Sequence, residues 1–174
     1  MIYRRFYSEV GKLLYAIAAI DGNVQKQEYD KLREIVEKKL VPVEHSTDQF
    51  GTDNAYYAEI EFDILMDQGA SSKSCFDSFC NYVEAHKTAF DQHLKSMVTT
   101  LSKELAHAYR GNDGKESELV KKLRHRMDEI FAESKKEWLF RQSQQIKKPS
   151  RFMGMAFVLR LKILSHKQQL SVLW

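Results

Sequence analysis

The stretch AIAAIDGNVQKQEYDKLREIV, residues 16–36, decides the fold. An apolar run breaks at Asp21-Gly22-Asn23, and apolar residues then resume at helical spacing as Tyr29, Leu32, Ile35 and Val36. Gly22 admits the positive φ that ends a helix. Upstream, Phe6, Val10, Leu13, Leu14 and Ile17 fall three or four residues apart, so the spacing predicts a helix from Tyr3 to Ile20. Downstream it predicts a second, from Gln25 to Lys39, closed by Pro42. Two amphipathic helices joined by a tight Asp-Gly turn make the unit from which the rest is read.

Working outward, residues 43–53 are polar and read as a loop. Residues 54–68 carry two patterns. YAEIEFDIL alternates apolar and acidic groups at period two, as a strand would, while Ile60 and Ile64 also fit a helix. The helical surroundings favour a helix, ended by Gly69. Ser71, Ser72 and Ser74 offer caps for a fourth helix to His86, packing Phe76, Phe79 and Val83. Phe90, Leu94, Met97, Val98, Leu101, Leu105 and Ala108 form the clearest face, a fifth helix from Thr88 to Tyr109. After Gly111-Asn112-Asp113-Gly114, a sixth buries Leu119, Val120, Leu123, Met127, Ile130 and Phe131 and runs toward Phe140. The fold class is therefore all-α, a bundle of about six or seven helices.

Composition agrees. The 174 residues suit one domain with an appended tail, and 43% hydrophobic content suits a packed core. Seven glycines and two prolines argue against an all-β sandwich with its many turns. Two cysteines make no disulfide framework, and Cys75 and Cys80 have no zinc spacing, so both are expected as reduced, buried thiols. Arg4, Arg5, Glu9 and Lys12 interrupt the N-terminal apolar run, so no signal peptide is expected. No run of 18 uncharged apolar residues predicts a transmembrane helix. The expected location is cytoplasmic.

Charge is unevenly spread. Residues 141–174 carry net +7, with no acid, and residues 40–72 carry net −7, with no Lys or Arg. Two readings stand: each block is a solvated face, or the basic segment docks on the acidic one, in the same chain or in a partner. Pro149 marks a composition shift. Beyond it, RFMGMAFVLRLKIL places large apolar groups at every odd position from Met153 to Ile163, a strand-like pattern. The domain division is thus 1–140 for the helical body and 141–174 for a basic apolar tail. Such a tail needs a partner or a surface. It fits a protein partner or an inner-membrane surface, contacted through residues 147–164, better than nucleic acid, since its bases are dispersed among aliphatics.

The Asp-Gly unit has an echo. Asp21-Gly22 is followed by Glu28 at the start of a helix, and Asp113-Gly114 by Glu116 and Glu118 at the start of another. The first copy resembles the repeat unit of the tellurite-resistance TerB-like family, in which a helix ends in Ala-x-x-Asp-Gly and Glu opens the next helix. The resemblance covers residues 6–40 well and 90–131 loosely. It implies two pseudo-symmetric helical halves, acidic turns meeting in one cluster, a divalent cation there, and a link to tellurite or stress response. Carried over residue by residue, Asp21 and Glu28 match the first motif and Asp113 the second. The second spacing departs from the first, so either Glu116 or Glu118 is the counterpart of Glu28.

The residues themselves support two readings. Carboxylates at turns suit hard cations such as Ca²⁺, Mg²⁺ or Mn²⁺. They also serve as turn and cap residues without any ion. An EF-hand is excluded, because Gly22 follows Asp21 directly and the ladder of oxygen ligands is missing. His86, His93 and His107 lack the i, i+3 or i+4 spacing of a metal pair and are expected to face solvent. No Ser-His-Asp or Cys-His order, Walker loop or dinucleotide fingerprint occurs. The expected function is therefore non-enzymatic: a helical module binding a divalent cation or a protein. The alternative is a membrane-peripheral adaptor using the tail.

Overall fold

Helix α1 (Ile2–Ala18) is the element on which the others pack. Its stripe of Phe6, Val10, Leu13, Leu14 and Ile17 is buried, as helical spacing requires. The computed structural model describes residues 2–43, 46–108 and 114–147, excepting the side chains of 2, 3, 133–138 and 141–147. It is an all-α structure, with six α-helices among the described residues. Against α1 lie α3 (Tyr57–Gln68), α4 (Ser72–Ala85) and α5 (Gln92–Ala106), while α2 (Lys26–Ile35) packs on α5. Helix α6 (Lys115–Lys147) follows and buries Leu119, Val120, Leu123, Met127 and Ile130 in the same core.

Gly11 sets the α1–α3 crossing. A Cβ there would overlap the carbonyl oxygen of Ala58 on α3, so only glycine allows the backbones this close. Beside the crossing, Phe62 stands edge-on to Tyr15 at 5.4 Å between ring centres. Two polar ties fix the α3–α4 connection to α1: the Ser72 hydroxyl donates to the Ala16 carbonyl (2.6 Å), and the Tyr15 hydroxyl to the Ala70 carbonyl (3.0 Å).

Several boundaries differ from the sequence reading for local reasons. The second helix widens into a π turn at Val36–Leu40 and tightens into a 3-10 turn at Val41–Val43, so Pro42 sits inside a continuing turn. The fifth helix starts at Gln92, because the Asp91 carboxylate accepts from the Leu94 N–H (2.8 Å) and caps it there. Phe90 consequently reaches the core from a turn, edge-on to Phe6 and Phe79. Residues 54–68 form a 3-10 turn and then α3, ended by Gly69 in the left-handed conformation (φ 57°). The polar loop before it is organised by Asp48, whose Oδ1 accepts from the N–H groups of Phe50 (2.8 Å) and Thr52 (3.0 Å).

The chain divides into two compact units, Met1–Ser134 and Lys135–Trp174. The run of bases without acids placed the tail's start at 141. The strand-like pattern at 153–163 lies outside the described residues. Within the second unit, Leu139 and Phe140 are exposed.

Candidate metal centre at two helix starts

The first site residue follows from how α1 ends. Gly22 takes φ 108°, turning the chain so that Asp21 sits on the outside, where its Oδ1 accepts from the Asn23 N–H (3.4 Å). Gln25 is extended, and α2 begins at the next residue. Glu28, in the first turn of α2, folds back so that its Oε2 accepts from the Gln25 N–H (2.8 Å), one arm of a capping box. That bond pins the carboxylate inward, and Glu28 is only 2% exposed.

The second arises the same way. Gly114, at φ 62°, precedes α6, and Glu116 lies in its first turn. Glu116 is 5% exposed, whereas Glu118 is exposed. Among the described residues nothing donates a hydrogen bond to Glu116 or pairs with it as a base. Asp21, and after it Glu116, is close enough to repel the Glu28 carboxylate. Burial first, then these two neighbours, push the Glu28 carboxyl up to about 7, against the pull of the Gln25 N–H. No base is among the groups acting on it.

The structure thus places Asp21 and Glu116 within electrostatic reach of Glu28. It leaves Glu118 on the outside. Asp113 lies outside the described residues. Among the described residues, no group of three or more His, Cys, Asp or Glu side chains is arranged to hold a metal ion. Two buried carboxylates without a base have two chemical outlets: they share a proton, or they share a hard cation. Their donor set is all oxygen, which excludes the softer thiolate metals from this position.

Sequence reasoning missed a third buried carboxylate. Glu9 on α1 is 5% exposed, yet it meets Lys12 Nζ (2.9 Å) and accepts from the Ser78 hydroxyl of α4 (3.0 Å). The signal was available: Glu9 is four residues before Leu13, in phase with the core stripe. Here the ion pair answers the charge, so Glu9 ties α1 to α4. His93 and His107 face solvent, and His86 is half-buried, stacked on Tyr82 with its Nδ1 2.8 Å from the Tyr82 carbonyl. Cys75 and Cys80 are free and buried, and burial pushes the Cys80 thiol up to about 11, which keeps it protonated. A cavity of about 400 Å³ opens beside Phe6, Tyr82, Phe90 and Met97. No helix among the described residues is long and apolar enough to cross a membrane.

Comparison with protein-family models, curated proteins and solved structures finds no match to this chain. The likeness of residues 6–40, and more loosely of 90–131, to the TerB-like unit has no support from these comparisons.

Proposed function

We propose that the chain is a non-enzymatic helical module that binds a hard divalent cation, Ca²⁺, Mg²⁺ or Mn²⁺, between the starts of α2 and α6. Glu28 and Glu116 are the carboxylates that would hold it, and Asp21 adds negative potential at the rim. One observation carries this reading: Glu28 and Glu116 are buried within electrostatic reach of each other with no base paired to either among the described residues, and burial, with Asp21 and Glu116 adding to it, pushes the Glu28 carboxyl up to about 7. A cation would remove that repulsion and satisfy both groups. Their location, one per Asp-Gly unit, is where the TerB-like resemblance places its acidic cluster. The tellurite and stress-response association belongs to this proposal only through that resemblance.

Thermal melting of the full chain at pH 8 tests it, first in chelator, then with Ca²⁺, Mg²⁺ and Mn²⁺ in turn. An ion at 100 times its dissociation constant stabilises the folded state by about 2.7 kcal/mol. The expected result is a raised midpoint for at least one ion, lost in both Glu28→Gln and Glu116→Gln and retained in Glu118→Gln. No shift with any ion, or a shift that survives both substitutions, overturns the proposal and returns Glu28 to the role of a helix cap.

A further inference from the structure

The late start of α5 leaves a space in the bundle. Residues 86–91 run as a turn, not as helix, and Phe90 enters the core alone, its ring 6.1 Å from that of Phe6. Beside it lies the cavity of about 400 Å³. Phe6 and Tyr7 of α1, Tyr82 of α4 and Met97 of α5 line it, with Phe90 and His86 from the turn. The lining is chemically narrow. Among the described residues no Lys, Arg, Asp or Glu belongs to it, so nothing there answers a ligand's charge. Arg5 stands over the Tyr82 ring at 6.0 Å but is not part of the lining.

The floor is aromatic and deep. Phe6, Tyr7, Tyr82 and Phe90 are each less than a tenth exposed. A flat protein surface or a membrane cannot reach rings at that depth, whereas a small molecule can enter. Aromatic edges and faces, with the flexible thioether of Met97 beside them, suit a planar apolar body. An apolar cavity of about 150 Å³ accepts benzene, so this one has room for two fused rings. Its size is within the range of small-molecule sites, about 300–1,000 Å³. One polar group is held in place at the wall. His86 stacks on Tyr82 with 4.3 Å between ring centres, and its Nδ1 lies 2.8 Å from the Tyr82 carbonyl oxygen. A carbonyl only accepts, so Nδ1 carries the proton, and in the neutral ring Nε2 keeps its lone pair.

We infer that this cavity binds a small, neutral aromatic molecule of one or two rings that carries one N–H or O–H group. The rings of Phe6, Tyr82 and Phe90 would hold its apolar body, and His86 Nε2 would accept from its donor. Desolvation decides against the other occupants. A fatty acid or a phosphate ester would bury an anion that no lining base answers, and a peptide would bury amide groups against an apolar floor. The inference does not depend on the cation site, since Glu28 and Glu116 take no part in the lining.

Indole is the probe, being neutral, bicyclic and equipped with one N–H. Indene has the same shape without the donor, and octanoate carries the charge that the lining lacks. Each is titrated into the full-length chain, labelled with nitrogen-15, at pH 8, and the amide shifts are followed. Indole should saturate, with its shifts centred on residues 86–97, and indene should bind at least fivefold more weakly. Leu94→Trp and Met97→Trp each fill the space and should abolish the shifts with the helical circular dichroism unchanged. His86→Phe keeps a ring against Tyr82 and should erase the preference for indole over indene. No saturable shift with indole overturns the inference, as does binding that survives both filling substitutions. Equal binding of indene, or tighter binding of octanoate, overturns the ligand class. Tighter binding of the tripeptide Gly-Trp-Gly than of indole overturns it as well, and gives the cavity to a side chain of a protein partner.

Discussion

At the scale of single residues, Glu28 has the largest consequence. Its carboxyl is pushed from an ordinary 4.5 to about 7 in the folded chain. Between those values the folded state holds a proton that the unfolded state has released. Folding therefore takes up a proton in this window, and stability falls as pH rises from 4.5 to 7. The whole penalty is present above 7 and is on the order of 3 kcal/mol. Glu28→Gln keeps an oxygen for the Gln25 N–H and removes the charge. In chelator, the variant should melt higher than the parent at pH 8 and show a flatter midpoint between pH 5 and 8. Equal slopes for the two proteins would mean that Glu28 is not the group that titrates. A bound cation acts in the opposite sense, since it needs the ionised carboxylates and binds more tightly as pH rises.

The residue scale also shows what a sequence can disclose. Asp21 and Glu28 were readable because a turn residue and a capping residue have local signatures. That Glu116, and not Glu118, turns inward was readable as well. Glu116 stands three, four and seven residues before Leu119, Val120 and Leu123, in phase with the buried face of α6, whereas Glu118 is off that face. Glu9 was overlooked in the same way. It was in phase with the buried stripe, but its partner Ser78 is on α4, far away in the sequence.

At the scale of elements, helix identities came through and helix ends did not. The periodic faces of α1 and α5 are long enough to be unmistakable, whereas an end depends on one side chain, such as Asp91 capping α5. Residues 54–68 are the instructive case. Their period-two alternation suggested a strand because Ile60 and Ile64, both exposed, are apolar on a side that the core does not use. Remove those two and Ala58, Phe62 and Leu65 leave an ordinary helical stripe. The ambiguity in the sequence and the exposed face in the structure have one cause. The α1–α3 crossing is the other feature of this scale, and it was invisible in advance because a helical glycine has many explanations. Gly11→Ala should gain helix propensity, up to about 1 kcal/mol, and lose more by overlap with Ala58, about 1–3 kcal/mol. The overlap is with backbone, which cannot rotate away, so the net effect should be a lower urea midpoint with an unchanged slope. A rise in midpoint would show that the two helices part without cost.

At the scale of the molecule, what matters is which part of the chain carries the fold. Every buried apolar side chain among the described residues lies between Phe6 and Ile130, and these form one continuous cluster. The first compact unit ends at Ser134, just beyond that range. A fragment of residues 1–134 therefore contains the described core, both Asp-Gly units and the carboxylate pair. It also drops the basic segment, leaving a body whose charge is acidic where the whole chain is +3. The expected outcome is that this fragment is monomeric at low salt, melts in one cooperative transition, and does so within a few degrees of the full chain. A cooperative two-state melt is what a single core of this size should give. Because Glu28 and Glu116 are both present, Glu28→Gln in the fragment should raise the midpoint at pH 8 by the same amount as in the full chain. Circular dichroism melts of the four proteins decide it. If the fragment shows no cooperative transition, residues beyond 134 are part of the core, and the fold is a property of the entire chain. If it melts cooperatively but the Glu28 effect vanishes, the electrostatics at the two helix starts depend on the basic segment, and the carboxylate pair has its base there after all.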